Sequence, residues 1–219
     1  YGHASVSTSS DEQLDSWAAL IDHPECLLHS LAIRYDGKVE RKSLHSLIEV
    51  VGRNSTLNTI KVTAVVGQDL DGADLNAVAR HLALIMAKPK LHTLELAVSS
   101  MDDETTVAAV VQPLVDALSS VIGGTLISKL SLDVDLTAGH VDQLCRALQS
   151  SSVRSLHVQH LSCAWSGLQS VTSLVAHGST SAVTSLDLSG CWAPNASQTD
   201  FHQVFNSSTL FVCFMSFMI

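Results

Sequence analysis

The sequence Leu91-His92-Thr93-Leu94-Glu95-Leu96 is the clearest copy of an apolar motif that sets the architecture of this chain. Apolar residues stand at its first, fourth and sixth positions, and successive copies begin 26 to 36 residues apart. A motif that returns at such a period indicates a stacked array of similar units. The seven copies are Leu28-Leu31-Ile33, Leu57-Ile60-Val62, Leu91-Leu94-Leu96, Ile127-Leu130-Leu132, Val153-Leu156-Val158, Val183-Leu186-Leu188 and Leu210-Cys213-Met215.

A helical stripe of apolar residues precedes each motif. Its clearest form places Leu44, Leu47, Ile48 and Val51 on one helix face. Within the motif, apolar and polar positions alternate as in a short strand with one buried face. Such a helix–strand unit buries its apolar face by stacking on its neighbours, which predicts a solenoid of about seven units. The other stripes begin at Leu14, Leu75, Val107, Val141, Leu168 and Phe201.

Local signals place the helix ends. Polar residues that favour the first turn of a helix precede most of the stripes. Pro113 lies inside the fourth stripe and predicts that this helix is kinked or divided. The predicted helix starts are Ser10 or Asp11, Asp71 and Asp74, Asp102 and Asp103, and Thr137.

We predict a single α/β domain over residues 1–219. Residues 1–25 form an N-terminal capping helix in this interpretation, and residues 26–219 form the repeats, with an incomplete C-terminal end. The closing apolar run from Leu210 to Ile219 is too short to cross a bilayer and is interpreted as an unfinished repeat, where self-association is possible. No signal peptide is visible, and we predict no membrane partner.

Composition narrows the class of partner. The net charge of −9 provides no basic stripe for phosphates, so we predict no nucleic-acid partner. Five widely spaced cysteines fit small buried hydrophobic residues in a reducing compartment, which predicts a cytoplasmic protein. Three Asn-x-Ser/Thr sequons, at Asn54, Asn195 and Asn206, point the other way and receive little weight in so serine-rich a chain.

The motifs resemble leucine-rich repeats. The resemblance is carried by Leu91-His92-Thr93-Leu94-Glu95-Leu96 and by Val183-Thr184-Ser185-Leu186-Asp187-Leu188-Ser189-Gly190-Cys191, and full helices with a period near thirty are most similar to the ribonuclease-inhibitor-like subclass. It implies a horseshoe with a parallel concave sheet, convex helices and a role in binding other macromolecules. The family often places Asn, Cys or Thr five residues after the second leucine. Cys191 fits, whereas Asp36, Val65, Ser99, Asp135 and Leu161 depart from that pattern and predict irregular curvature.

In this family the strand residues between the buried leucines face the concave surface. The central column would be Ala32, Lys61, Glu95, Ser131, His157, Asp187 and Phe214. Its charge has a direction, from basic residues in the early strands to acidic ones in the later strands. We interpret this face either as a polar binding surface or as a solvated face whose real contacts lie elsewhere. The predicted partner-binding residues are Arg34, Lys61, Glu95, Lys129, Asp133, His157, Gln159 and Asp187.

Two histidine–cysteine clusters contain zinc-binding residue types. They are His157, His160 and Cys163, and His23, Cys26 and His29, and neither shows the paired Cys-x2-Cys spacing of a structural zinc site. We therefore predict no metal and no cofactor. A cysteine nucleophile with a histidine base would pair Cys163 with His157, or Cys145 with His140. Gly123-Gly124 precedes a predicted strand, whereas a phosphate-binding loop follows one.

These patterns predict a non-catalytic module that binds a protein or peptide through its concave face. One alternative is the substrate-recognition fragment of a ubiquitin-ligase adaptor or an immune-type receptor, which rests on analogy alone. Another is an enzyme with a His/Cys site on the concave face.

Overall fold

The structure, a computed structural model, describes residues 2–8, 10–36, 39, 41–66, 72–100, 107–159, 169–171, 173–174, 180–188 and 212–213. In these residues strands and helices alternate. The strands are β1 (Gly2–Ser7), β2 (Leu28–Tyr35), β3 (Thr59–Val66), β4 (Thr93–Ser100), β5 (Lys129–Asp133), β6 (Ser155–Gln159), β7 (Ser185–Asp187) and β8 (Val212–Cys213). The helices are α1 (Asp11–Asp22), α2 (Lys42–Arg53), α3 (Gly72–Met86), α4 (Val107–Val121) and α5 (Ala138–Leu148), and a 3-10 turn spans Ile122–Gly124.

All eight described strands form one parallel sheet in the order β1 to β8. The strand order follows the chain and never reverses among them. A doubly wound nucleotide-binding sheet has a reversal point where its ligand binds, and the described strands contain no such reversal. The α/β fold with a parallel sheet and alternating helices is therefore confirmed, and its repeated units fit a solenoid in general.

One face of the sheet carries the core. The three apolar positions of the first six motifs are all buried, with at most 9% of each residue exposed. The described side chains of the predicted stripes are buried as well, apart from the partly exposed Trp17; they include Leu44, Leu47, Ile48 and Val51 of α2. Strand and helix residues join in one apolar cluster, while the alternate strand residues stay at least partly exposed. The helices therefore pack on one face of the sheet, and the described residues leave the other face open.

The first strand corrects the prediction for residues 1–25. This segment was expected to be a capping helix, but β1 precedes α1 and pairs with β2. Ala4 and Val6 lie in register with Leu31 and Ile33, so they take the motif's buried positions with smaller side chains. A Cβ on Gly2 would lie 2.7 Å from the Cα of Leu28, and this close approach requires glycine.

The last strand is one residue out of the predicted register. Phe214 was expected beside Asp187 in the central column, but the structure pairs Asp187 with Cys213 and Leu186 with Val212. The pairing at β8 therefore does not continue the register of the first six motifs. The rest of that motif and its helical stripe lie outside the described residues, as does the apolar end predicted to self-associate.

The helix ends follow the predicted signals in part. Thr137 caps α5: its hydroxyl accepts from His140 N–H, and the His140 ring accepts from Thr137 N–H. Ser10 precedes α1, but its side chain makes no capping hydrogen bond. Pro113 was predicted to kink or divide its helix; α4 is not divided and runs from Val107 to Val121. Val111 and Leu114, on either side of Pro113, are fully buried, and their packing offsets the lost backbone bond. No helix in the described ranges has the length and apolarity needed to cross a membrane.

Buried polar groups line the turns that lead from helices into strands. Thr125 and Ser151 return hydrogen bonds of 2.9 Å to Ile122 O and Leu148 O, and both residues are at least 91% buried. The ammonium of Lys88, in an almost fully buried residue, donates to Asn54 O. The family pattern leads one to expect such a row after the strands. In this chain the row precedes them, and it satisfies turn carbonyls that packing removes from water.

Asn54 is the most connected residue of that row. Its Nδ2 donates to Ile21 O at 2.9 Å, and its Oδ1 accepts from the backbone of Thr56 and Leu57, each at 2.9 Å. The Thr56 hydroxyl donates in turn to Leu28 O at 2.8 Å. The side chains of this sequon are therefore engaged in the turn between α2 and β3. The sequons at Asn195 and Asn206 lie outside the described residues.

Replacing Asn54 with alanine should lower the free energy of unfolding by about 2 kcal/mol, because two backbone N–H groups and one carbonyl lose their partner. Chemical denaturation followed by circular dichroism measures this loss. Asn58→Ala is the matched control: its side-chain oxygen accepts from the neighbouring Thr59 hydroxyl at 3.1 Å, so the loss should stay below about 1 kcal/mol. Equal losses in the two variants would contradict the structural role of Asn54.

Candidate partner-binding face

Strand register builds three columns on the open face of the sheet. Six of the eight predicted binding residues lie in the central and third columns, on strands β3 to β7. The other two are Lys129, at the start of β5, and Arg34, on β2. The central column extends across seven strands as Ser5, Ala32, Lys61, Glu95, Ser131, His157 and Asp187. The predicted alignment of this column is therefore confirmed from Ala32 to Asp187, and Ser5 extends it.

The basic residues of strands β2 and β3 lie next to acidic residues. Lys61 Nζ is 3.8 Å from Glu95 Oε2, and Arg34 Nε is 3.6 Å from Asp36 Oδ2. All four side chains are more than a third exposed, so each pair contributes little to stability. The predicted basic end of the face is consequently neutralised at short range.

Among the described residues of this face, His157 and Asp187 form a close side-chain pair. His157 Nδ1 is 2.8 Å from Asp187 Oδ2, and the two side chains are 27% and 37% exposed. A carboxylate at Nδ1 fixes the orientation of the ring and favours the tautomer that carries its proton there. In that tautomer Nε2 can accept a hydrogen bond. The sequence predicted both residues for the face without predicting that they pair.

The flanking columns hold the remaining predicted residues. Lys129 is exposed between Thr93 and Ser155 in the first column. Asp133 and Gln159 are neighbours in the third column and are both partly exposed. All eight predicted residues thus lie on one surface, although they do not converge on a single point. Such an arrangement suits an extended partner better than a small substrate.

Hydrogen bonds at the end of β1 involve residues that sequence reasoning did not assign to the face. Ser7 Oγ donates to both carboxylate oxygens of Asp36, at 2.8 and 3.0 Å. Asp36 N–H donates to the hydroxyl of the fully buried Thr8 at 3.2 Å. Asp36, which departs from the family pattern, therefore holds this turn with a carboxylate. Only the pairing of β1 with β2 brings Ser7 to Asp36, so the sequence alone gives no sign of this contact.

The chain was compared with known families and with characterised proteins. No family model matches it. No curated protein matches it either. The chemistry of the face consequently rests on the geometry of its own residues.

The structure describes all of one histidine–cysteine cluster and only part of the other. His23 Nδ1 accepts from Glu25 N–H at 3.2 Å, while His29 Nδ1 lies 3.2 Å from Thr56 O, so these rings engage separate turns. In the described parts of the chain, no group of three His, Cys, Asp or Glu residues is placed to hold a metal ion. His160 and Cys163 lie outside those parts, so the structure does not describe their arrangement around His157.

The alternative pair of Cys145 and His140 has structural roles. Cys145 lies in the apolar core and is 5% exposed, which confirms it as a small buried hydrophobic residue. His140 Nε2 lies 3.0 Å from Gln112 Oε1, and Nδ1 accepts the capping bond from Thr137. Burial lowers the pKa of His140, although Asp116 opposes this effect. Both ring nitrogens are thus engaged within the helix layer.

Proposed function

We propose that this chain is a leucine-rich-repeat solenoid that binds a protein or peptide through the open face of its sheet, without catalysis of its own. The observation that carries the proposal is the one-sided core. Six motif copies bury their apolar residues toward the helices and present three columns of polar residues on the other side. The sequential parallel sheet and the near-thirty-residue period support the finer assignment to the ribonuclease-inhibitor-like subclass.

The size of the face suits a macromolecular partner. Strands about 4.8 Å apart give seven paired strands a width of about 30 Å, which accommodates an extended peptide or one side of a small domain. The ion pairs on the face are exposed and weak, so a partner can exchange them for its own contacts at little cost. Few large anchors are present, and we therefore expect polar recognition and moderate affinity.

The test compares two faces of the same molecule. A photo-crosslinking amino acid replaces Ser131 at the centre of the open face or the exposed Arg146 on α5, and both proteins are exposed to an extract of the native host. We expect a partner that crosslinks at position 131 and not at position 146. That partner, once purified, should bind the variant Lys61→Ala/Glu95→Ala/His157→Ala at least tenfold more weakly than the unmodified chain.

A control variant on the helix layer separates binding from folding. Glu49→Ala/Arg146→Ala removes exposed charges from α2 and α5 and should leave the affinity unchanged. If the partner loses affinity equally for both variants, or crosslinks only at position 146, the open face is not the binding surface.

A further inference from the structure

A cleft opens between α2 and α3, in the helix layer on the side of the core opposite the open face. Its volume is 630 Å³, which lies in the range of small-molecule sites. Val39, Ala77 and Leu84 form an apolar part of its wall, and basic residues form another part. Of these three, Val39 and Ala77 are buried in the core, so part of the wall is fixed by packing. The basic lining consists of Arg41, Lys42, His45, Arg80 and His81.

Basic residues are concentrated in this cleft, although the chain as a whole is acidic. The chain has a net charge of −9 and only 12 lysines and arginines, and three of those line this one cleft. Among the described lining residues none is acidic. Two acidic residues outside the lining offset part of this charge. Asp11 Oδ1 lies 3.5 Å from Arg41 Nη1, and Glu49 Oε1 lies 3.5 Å from His45 Nε2. The described lining of the cleft therefore concentrates basic residues on an acidic protein.

Helix α2 adds to the positive field. Arg41 occupies its N-cap position without a side-chain hydrogen bond to the helix, and its first turn contains no acidic residue. Lys42 follows as the first helical residue. A helix N-terminus carries a partial positive charge, so cations at this position repel it and an anion relieves the repulsion. By contrast, α1 begins with Asp11 and Glu12.

His81 forms a buried part of the cleft. Only 7% of the residue is exposed, its ring stacks on Tyr35 with centroids 6.1 Å apart, and its Nδ1 lies 3.5 Å from the Tyr35 hydroxyl. The His45 ring lies 5.8 Å away. Burial, with contributions from His45 and then Arg80, lowers the pKa of His81 to about 4. The ring is neutral at pH 7, so Arg41, Lys42 and Arg80 are the lining residues whose charge a ligand would meet.

We propose that this cleft binds an organic phosphate, with the phosphate at Arg41, Lys42 and Arg80 and an apolar or aromatic group against Ala77, Leu84 and the His45 ring. Guanidinium groups match phosphate oxygens in paired hydrogen bonds, and lysine adds a point charge. The apolar wall selects against inorganic phosphate alone. This site is separate from the proposed partner-binding face, because it lies among the helices.

The experiment titrates phenyl phosphate into the full chain at pH 7.5 and low salt, followed by calorimetry and by NMR signals of backbone amides and histidine rings. We expect a dissociation constant at or below about 1 mM, with signal changes centred on Lys42, His45 and His81. Inorganic phosphate and phenol should each bind at least tenfold more weakly. The variant Lys42→Gln/Arg80→Gln should weaken phenyl phosphate binding about tenfold or more.

Arg154→Gln is the matched control. Arg154 is exposed directly before β6, away from the cleft, so its loss should leave binding unchanged. Lys42→Gln alone, at an exposed position, covers the case in which the double variant does not fold. The proposal is overturned if phenyl phosphate shifts the signals of all basic residues alike, or if the cleft variants bind as the unmodified chain does. Tighter binding of a short polyglutamate peptide would also overturn it, in favour of an acidic protein segment.

Discussion

Leu94→Ala should lower the free energy of unfolding by about 3–5 kcal/mol. Leu94 is fully buried on β4 and lies in register between Ile60 on β3 and Leu130 on β5, which are fully buried as well. The parallel backbone ladder fixes both neighbours, so they cannot move in to fill the space that the leucine leaves. Domains of ordinary stability unfold with 5–15 kcal/mol, and this loss is a large part of that range. Urea denaturation followed by circular dichroism measures it.

Glu95→Ala, at the very next residue, provides the contrasting variant. Glu95 points to the open face, where it loses only an exposed pair with Lys61, and the cost should stay below about 1 kcal/mol. Neighbouring residues of a strand face opposite sides, so this contrast tests the assignment of the two faces directly. Comparable losses in Leu94→Ala and Glu95→Ala would show that the assignment is wrong.

Acid should destabilise the fold through His81. The pKa of His81 is lowered to about 4 in the folded chain, chiefly by burial, whereas an unfolded histidine titrates near 6.5. Between these values the unfolded state binds more protons, so the free energy of unfolding falls as the pH falls from about 6.5 to about 4. A shift of this size corresponds to a contribution of about 3 kcal/mol that is present above pH 6.5 and lost near pH 4.

The variant His81→Asn should lose this part of the pH dependence, although its stability at pH 7 is lower because the side chain is smaller. Tyr35→Phe is the control: it removes the hydroxyl 3.5 Å from His81 Nδ1 and retains the titrating ring, so the acid sensitivity should persist. Unfolding free energies at pH 4, 5, 6 and 7 measure the difference. If His81→Asn retains the full slope of the unmodified chain, His81 is not the group responsible.

The fold was predictable where the pattern repeats. The leucines of β4 and the stripe of α2 stand at spacings that only strands and helices produce, and repetition reinforced each weak signal. The first strand escaped prediction because Ala4 and Val6 replace the motif's larger side chains. The one-residue shift in register at Cys213 was not predicted, because sequence spacing does not determine pairing at the last strand.

The open face was predictable as a set of columns, since alternation and register together decide which residues share a surface. The pair formed by His157 and Asp187 was not, because side-chain orientation depends on neighbours from two strands. The cleft could not be predicted either, because it depends on how two helices pack together. Arg41 and Arg80 come together only when α2 and α3 pack side by side, and no local pattern reports that packing.

The sequential order of strands has a consequence for how such a chain changes in length over evolution. In the described residues the principal contacts between helices, and those between strands, join successive units. Duplication or loss of one whole unit therefore recreates the same junction between the units on either side, whereas gain or loss of a single residue inside a strand reverses its faces. Variation is thus tolerated between motifs, where the spacing already ranges from 26 to 36 residues, and is excluded within them.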